Sequence, residues 1–136
     1  MNLHVVSPEG VIYQDTVDQI SLPTPKGEIT ILPHHVSLFT KMTDGIINIV
    51  KGKKESIIAT VGGFVEIIDG NVTILSDHAI KAENIQIAKA QEAKKRAEER
   101  MKKKESEVDF VMAEKELQKA IMELQVADRI KKRQRY

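Results

Sequence analysis

The sequence predicts an α+β protein: an antiparallel β-sandwich over residues 1–83, followed by an antiparallel helical hairpin over residues 84–136. Three observations predict this. Apolar residues alternate with the period of a strand up to about Ala82, and from Ala90 onward they recur every three or four residues, as on a helix. All seven glycines and all four prolines precede that change. The stretch Ala82–Ala90 is therefore a boundary between two differently patterned pieces.

In the first piece, Leu3–Val6, Val11–Tyr13, Ile20–Leu22, Ile29–Leu32, Ile46–Val50, Ile57–Val61, Phe64–Ile68 and Val72–Leu75 read as strands. They are rich in Ile and Val, which suit a pleated, half-buried surface. Turn signals separate them: Ser7-Pro8-Glu9-Gly10, Pro23-Thr24-Pro25-Lys26-Gly27, Asp44-Gly45, Lys51-Gly52-Lys53-Lys54 and Asp69-Gly70. Asp69-Gly70 is the clearest hairpin. Segments this short and close leave no room for crossover helices, so an all-antiparallel sandwich or flattened barrel is expected.

In the second piece, Asn84 is the expected N-cap of a first helix, its side chain accepting from a backbone N–H of the first turn. That helix runs from Ile85 to about Lys104, with a stripe of Ala90, Ala93, Ala97 and Met101. Ser106 is the expected N-cap of a second helix carrying Phe110, Ala113, Leu117, Ala120, Leu124 and Ala127, with Ile121 widening the stripe. A break this short favours folding back into a hairpin over an intermolecular coiled coil of barely three heptads. Alanine buries little area, so the hairpin's packing is marginal. Marginal packing permits a second arrangement, which a conformational switch requires.

Composition removes several function classes. The chain has 136 residues, 30% charged and 41% hydrophobic, in the range of a globular domain. No apolar run has the length of a membrane-spanning helix, and the start lacks a signal-peptide pattern, so a cytoplasmic protein is expected. Without cysteine there are neither disulfides nor thiolate zinc sites. The net charge of +1 is unevenly spread: six Lys/Arg face nine Asp/Glu in residues 1–82, against fifteen and eleven in residues 83–136. Five basic residues fall between Arg129 and Tyr136 with no acid, so that end suits an acidic surface.

Chemistry-bearing motifs are few. His4, His34, His35 and His78 show no helical ligand spacing and no accompanying acidic cluster; for His34 and His35 a surface loop is expected, with the two rings on opposite faces if the segment is extended. Gly62-Gly63 is too short for a phosphate cradle and reads as a bulge or a close backbone approach. The sequon Asn71-Val72-Thr73 is a chance match in a chain expected to stay in the cytoplasm.

Taken in order, several blocks carry a resemblance. They are Gly27-Glu28-Ile29-Thr30-Ile31-Leu32-Pro33-His34-His35, Gly62-Gly63-Phe64-Val65-Glu66, Asp69-Gly70-Asn71-Val72-Thr73-Ile74-Leu75-Ser76-Asp77, Ala82-Glu83-Asn84-Ile85, Ala93-Lys94-Lys95-Arg96-Ala97-Glu98 and Glu116-Leu117-Gln118-Lys119-Ala120-Ile121. Each is weakly specific, but their order and spacing resemble the epsilon subunit of bacterial F-type ATP synthase nearly end to end. The resemblance implies a sandwich of about ten strands in a non-catalytic rotor subunit on the cytoplasmic face of the bacterial membrane. That sandwich binds the gamma subunit and sits against the ring of c subunits, with Leu32, Pro33, His34 and His35 matching the ring-facing segment. It also implies that the hairpin can fold against the sandwich or extend into the catalytic head of alpha and beta subunits, where it blocks ATP hydrolysis. For the extended form it implies, by position, Lys115, Lys119, Arg129, Lys132 and Arg133 as the candidates that meet an acidic segment of the beta subunit.

Some members of that family bind ATP through Ile/Leu-Asp-x-x-Arg-Ala. The matching stretch is Ile85-Gln86-Ile87-Ala88-Lys89-Ala90, with Glu83 and Arg96 also at matching positions. Gln86 cannot replace a carboxylate, and Lys89 lacks the planar fork of arginine, so weak or absent ATP binding is expected and no other cofactor is. Two other classes compete. A basic helical nucleic-acid-binding module is weakened by having only two Tyr and three Phe for stacking. A small enzyme is weakened by the lack of a nucleophile–base pair.

Overall fold

The computed structural model describes residues 1–103 and 105–134, with side chains of the last helical turn described as far as Lys131. Ten strands come first: β1 (Asn2–Ser7), β2 (Gly10–Thr16), β3 (Gln19–Thr24), β4 (Gly27–Ile31), β5 (Leu38–Lys41), β6 (Gly45–Lys51), β7 (Lys54–Val61), β8 (Phe64–Ile68), β9 (Asn71–Leu75) and β10 (His78–Lys81). A 3₁₀ turn over Ala82–Asn84 follows, then α1 (Ile87–Lys103) and α2 (Glu107–Gln134). The chain forms two compact units, Met1–Glu83 and Asn84–Tyr136.

The strands form two five-stranded sheets, ordered β2-β1-β9-β8-β5 and β10-β7-β6-β3-β4. Alternation decides which side chains turn inward. Leu3 and Val5 of β1, Val65 and Ile67 of β8, and Val72 and Ile74 of β9 meet Ile20, Leu22, Ile31, Ile47, Ile49 and Ile58 of the other sheet in one buried cluster. Full burial of each such side chain is worth about 1.5–3 kcal/mol against leaving it in water.

The eight strands read from the sequence are present, and two more join them. β5 and β10 have only four residues each, too short for a period-two pattern to show, and both are edge strands. The expectation of purely antiparallel sheets fails at one pair: β1 runs parallel to β9, from Asn2 beside Asn71 to Val6 beside Leu75. No crossover helix is needed there, because the connection between β1 and β9 is the rest of the sandwich.

Local chemistry sets the register. Asp69 and Gly70, at φ 46° and 78°, connect β8 and β9 where Ile68 faces Asn71. Two central residues with positive φ make a type I′ turn, whose twist matches the strands it joins. On β2, Tyr13 pairs with Val5 and Val11 with Val6, so Ile12 is an extra, bulged residue on an edge strand. The link from β7 to β8 passes from one sheet to the other through Gly62 and Gly63. Asp44 Oδ1 accepts from the Gly62 N–H at 2.7 Å. Gly63, at φ 115°, lies so close to β9 that a Cβ there would overlap the Leu75 carbonyl oxygen and come within 2.8 Å of Ser76 Cα.

In the helical unit the first N-cap differs from expectation. Asn84 ends the 3₁₀ turn and is exposed, and α1 begins at Ile87 with the Gln86 carbonyl accepting from the Ala90 N–H at 3.0 Å. Ile85 therefore precedes the helix, because the 3₁₀ turn occupies the residues that would otherwise start it. Ser106 does cap α2: its Oγ accepts from the Asp109 N–H at 3.0 Å. Lys104, the expected end of the first helix, lies outside the described residues. The seam between the helices is built on small side chains, with Ala90, Ala97, Ala113 and Ala120 all buried. Phe110, Leu117, Ile121 and Leu124 flank it half-buried. Arg100 Nη1 on α1 reaches Glu116 Oε2 on α2 at 2.9 Å, an exposed pair worth at most about 1 kcal/mol.

The Gly63 geometry generates a stability prediction. Gly63→Ala forces the β7–β8 link away from β9 and demands a positive φ of a residue with a Cβ. The expected loss is at least about 2 kcal/mol, read as a lower urea midpoint at unchanged slope. An unchanged midpoint contradicts this account of the link.

Candidate functional site

The candidate site is a set of surfaces, because among the described residues no group of three or more His, Asp or Glu could hold a metal ion. The four histidines lie in separate places. His4 is half-buried on β1, where it alternates with the inward Leu3 and Val5, while His78 is buried on β10. His34 and His35 share one turn and are not extended. The Leu32 carbonyl accepts from the His35 N–H at 3.2 Å, and His34 has φ 68°. With Pro33 ahead of a positive-φ residue this is a type II turn, and histidine stands where glycine is usual. The His35 Nδ1–H donates to the Val36 carbonyl at 2.8 Å. The turn presents Leu32, 51% exposed, and Val36, 76% exposed, to solvent on either side of Pro33 and His34.

The outer face of the first sheet carries an apolar row. Register places Val11 of β2 beside Val6 of β1, Val6 beside Leu75 of β9, and Leu75 beside Phe64 of β8. Leu75 and Phe64 remain 52% and 45% exposed, and Val11 60%. Phe39 of β5 extends the row by stacking on Phe64, with ring centroids 5.6 Å apart and planes 14° from parallel. Ile68 stands exposed on the same face of β8, two positions beyond Glu66. Large apolar side chains joined in a strip across several strands mark an interaction surface, whereas scattered ones do not. Sequence reading counted Phe64 and Leu75 only as strand residues and missed Phe39 altogether. The available signal was that Phe64-Val65 and Ile74-Leu75 are apolar at consecutive positions, so one of each pair must face outward.

On α2, Lys115 and Arg129 are exposed and Lys119 is half-buried. At 100° per residue these three share a stripe with Val108, Val111, Met112 and Met122, opposite the seam that faces α1; Val126 falls at the same angle but is buried. Val108, Val111 and Met112 are 69%, 48% and 51% exposed. The second helix is thus apolar on two opposite sides, and the outer one is mixed with cations. Their spacing of three and four could have disclosed this stripe, but the stronger seam masked it. The side chains of Lys132 and Arg133 lie outside the described residues.

Around the start of α1, Glu83 is exposed in the 3₁₀ turn that closes the first unit. In the second unit Ile85 is half-buried, Gln86, Lys89 and Arg96 are exposed, and Ala90 is buried. Helical spacing sets Lys89 and Arg96 on one face of α1, and Gln86 immediately precedes the helix.

Comparison with known proteins draws these surfaces together. Residues 1–82 match the family described as ATP synthase, Delta/Epsilon chain, beta-sandwich domain. Residues 83–128 match ATP synthase, Delta/Epsilon chain, long alpha-helix domain. The chain is 38% identical over 130 residues to the ATP synthase epsilon chain of Halalkalibacterium halodurans, covering 95% of this chain and 98% of that one. It is 37% identical over 124 residues to the epsilon chain of Bacillus mycoides, covering 91% and 93%. Among solved structures it resembles a chain in the Euglena gracilis mitochondrial ATP synthase, OSCP/F1/c-ring in rotational state 1. That likeness has a TM-score of 0.67 at 26% identity, over 93% of this chain and 79% of that one. A chain of the Tetrahymena thermophila mitochondrial ATP synthase central stalk and c-ring shares the fold at a TM-score of 0.55 and 15% identity, over 63% and 69%. With both of its units matched and its bacterial relatives covered nearly end to end, the chain belongs to the ATP synthase epsilon chain family, the non-catalytic subunits of the central stalk.

Proposed function

We propose that this chain couples rotation of the c-ring to the catalytic head by holding the gamma subunit on the outer face of its first sheet, and that its helical unit restrains ATP hydrolysis. The apolar row Val11, Val6, Leu75, Phe64 and Phe39 carries the first part. A solvated monomer gains nothing from such a strip, whereas a permanent neighbour in the stalk removes it from water. The exposed Leu32-Pro33-His34-His35-Val36 turn supplies a second contact, toward the c-ring. Gamma, the c-ring and the alpha and beta subunits are its partners, and the complex holds it at the cytoplasmic face of the membrane. No described helix is long and apolar enough to cross a membrane.

For the helical unit, the outer stripe of α2 supports the reading. Lys115 sits beside the exposed Val108, Val111 and Met112, and Lys119 and Arg129 continue the same side of the helix, a pattern that suits an acidic, partly apolar groove. The basic end beyond Arg129 extends the same charge. The alanine seam between α1 and α2 is weak enough for the hairpin to open toward such a groove at a cost of a few kcal/mol. ATP is a poor latch for it, since Gln86 lacks the carboxylate and Lys89 lacks the planar fork that grips phosphate in two places.

Three outcomes are expected. Phe64→Asp leaves the sandwich folded, because the side chain is exposed, yet weakens association with gamma by at least about 2 kcal/mol, roughly thirtyfold; co-purification equal to wild type would sink the docking reading. Removing residues 84–136 raises the ATP hydrolysis rate of the assembled enzyme, and an unchanged rate would remove the inhibitory role while leaving the stalk role intact. Calorimetry of ATP with the isolated chain yields at most a weak signal, and micromolar affinity abolished by Lys89→Ala would contradict the reading of Gln86 and Lys89.

A further inference from the structure

We propose that the groove between β2 of the first sheet and the β6–β7 hairpin and β10 of the second is a binding site for a phosphate-type oligoanion, such as pyrophosphate. The groove encloses about 540 Å³, and its lining includes Ile12, Tyr13, Asp15, Lys51, Lys54 and Lys81. That volume is in the range small ligands occupy, roughly 300–1,000 Å³. Its charge is the anomaly. Residues 1–82 hold only six Lys/Arg against nine Asp/Glu, yet three of those six line this one groove. Lys51 and Lys54 face each other across the β6–β7 turn, and Lys81 joins them from β10, which pairs with β7 on its other side.

The groups divide into a fixed wall and a receptive one. Lys51 Nζ is held by both oxygens of Asp15, at 2.8 and 2.9 Å. That bond keeps the Asp15 carboxyl below its usual range and the Lys51 ammonium above its own. Asp15 pairs with Lys51 and also feels the charge of Lys54, so one carboxylate faces three ammonium groups and the lining keeps a net excess of two positive charges. Lys81 Nζ rests 5.9 Å from the centre of the Tyr13 ring, a cation–π distance that places the ammonium over the groove's apolar floor. The Tyr13 phenol is neutral and can donate at pH 7 like any tyrosine, and burial and the neighbouring Asp15 push its pKa further up. An excess of two positive charges and a phenolic donor beside an apolar floor suit an anion with several oxygens, since lysine binds phosphate as a point charge without the fixed fork a carboxylate prefers.

An acidic peptide is the weaker occupant. It would have to add as a strand to β2, but the bulge at Ile12 breaks the regular ladder that such addition requires. The proposal is independent of which subunit covers the apolar row, because the two surfaces share only Val11.

The test is a titration of the full chain with sodium pyrophosphate at constant ionic strength, followed by amide chemical shifts. Saturable shifts confined to β2, the β6–β7 hairpin and β10 are expected. The double variant Lys54→Gln/Lys81→Gln should weaken them about tenfold or more, whereas Lys102→Gln on α1 should not. Parallel titration with ATP identifies the source: competition for the same amides means a nucleotide's phosphate tail enters the groove, and its absence restricts the site to the inorganic anion. Shifts that grow linearly and scatter over surface lysines, or affinity unchanged in the folded double variant, would overturn the proposal.

Discussion

The type I′ turn at Asp69-Gly70 is the constraint on which the rest of the sandwich depends. By placing Ile68 opposite Asn71 it fixes the β8–β9 register. That register turns Val65, Ile67, Val72 and Ile74 into the core and leaves Phe64, Ile68 and Leu75 outside. A slip of one residue would exchange the two sets, exposing the core side chains and burying Glu66. Because β1 then pairs with β9 in parallel, Val6 falls beside Leu75, and the outer apolar row continues to the far edge of the sheet. One turn therefore sets both the interior that holds the fold and the exterior that offers a partner surface.

The helical unit follows a different economy. Its seam is made of alanines, which allow the helices close approach but remove little apolar area from water. The outer stripe of α2 adds nothing to that seam and leaves Val108, Val111 and Met112 exposed. A sequence selected only to hold the hairpin closed would place polar residues there. Weak inner packing and an exposed apolar patch on the outer side are what the proposed opening of the hairpin requires.

Much of this was legible in the sequence, for reasons that stay local. Period-two alternation located eight strands, Asp69-Gly70 announced its turn, Gly62-Gly63 announced a close approach, and Ser106 announced a cap. What escaped was either too short or too distant along the chain. β5 and β10 have four residues each and no pattern to read. The parallel β1–β9 pair joins residues some seventy positions apart, which no local rule predicts. Asn84 looks like a cap, but the 3₁₀ turn claims it, so α1 starts later. The same distinction separates the surfaces: the basic residues of α2 follow from the resemblance and from the run of basic residues at the end of the chain, whereas the apolar row, and the meeting of Lys81 with Lys51 and Lys54, exist only once strands from remote segments lie side by side.

The central claim is that the outer face of the first sheet is where the stalk neighbour sits. A photoreactive side chain placed at Leu75, which is half-exposed in the middle of the row, tests it in the assembled ATP synthase. The account predicts an adduct with the gamma subunit, and none from the same group placed at the exposed Glu28 on β4 of the other sheet. Adducts with gamma from Glu28 and not from Leu75 would contradict it.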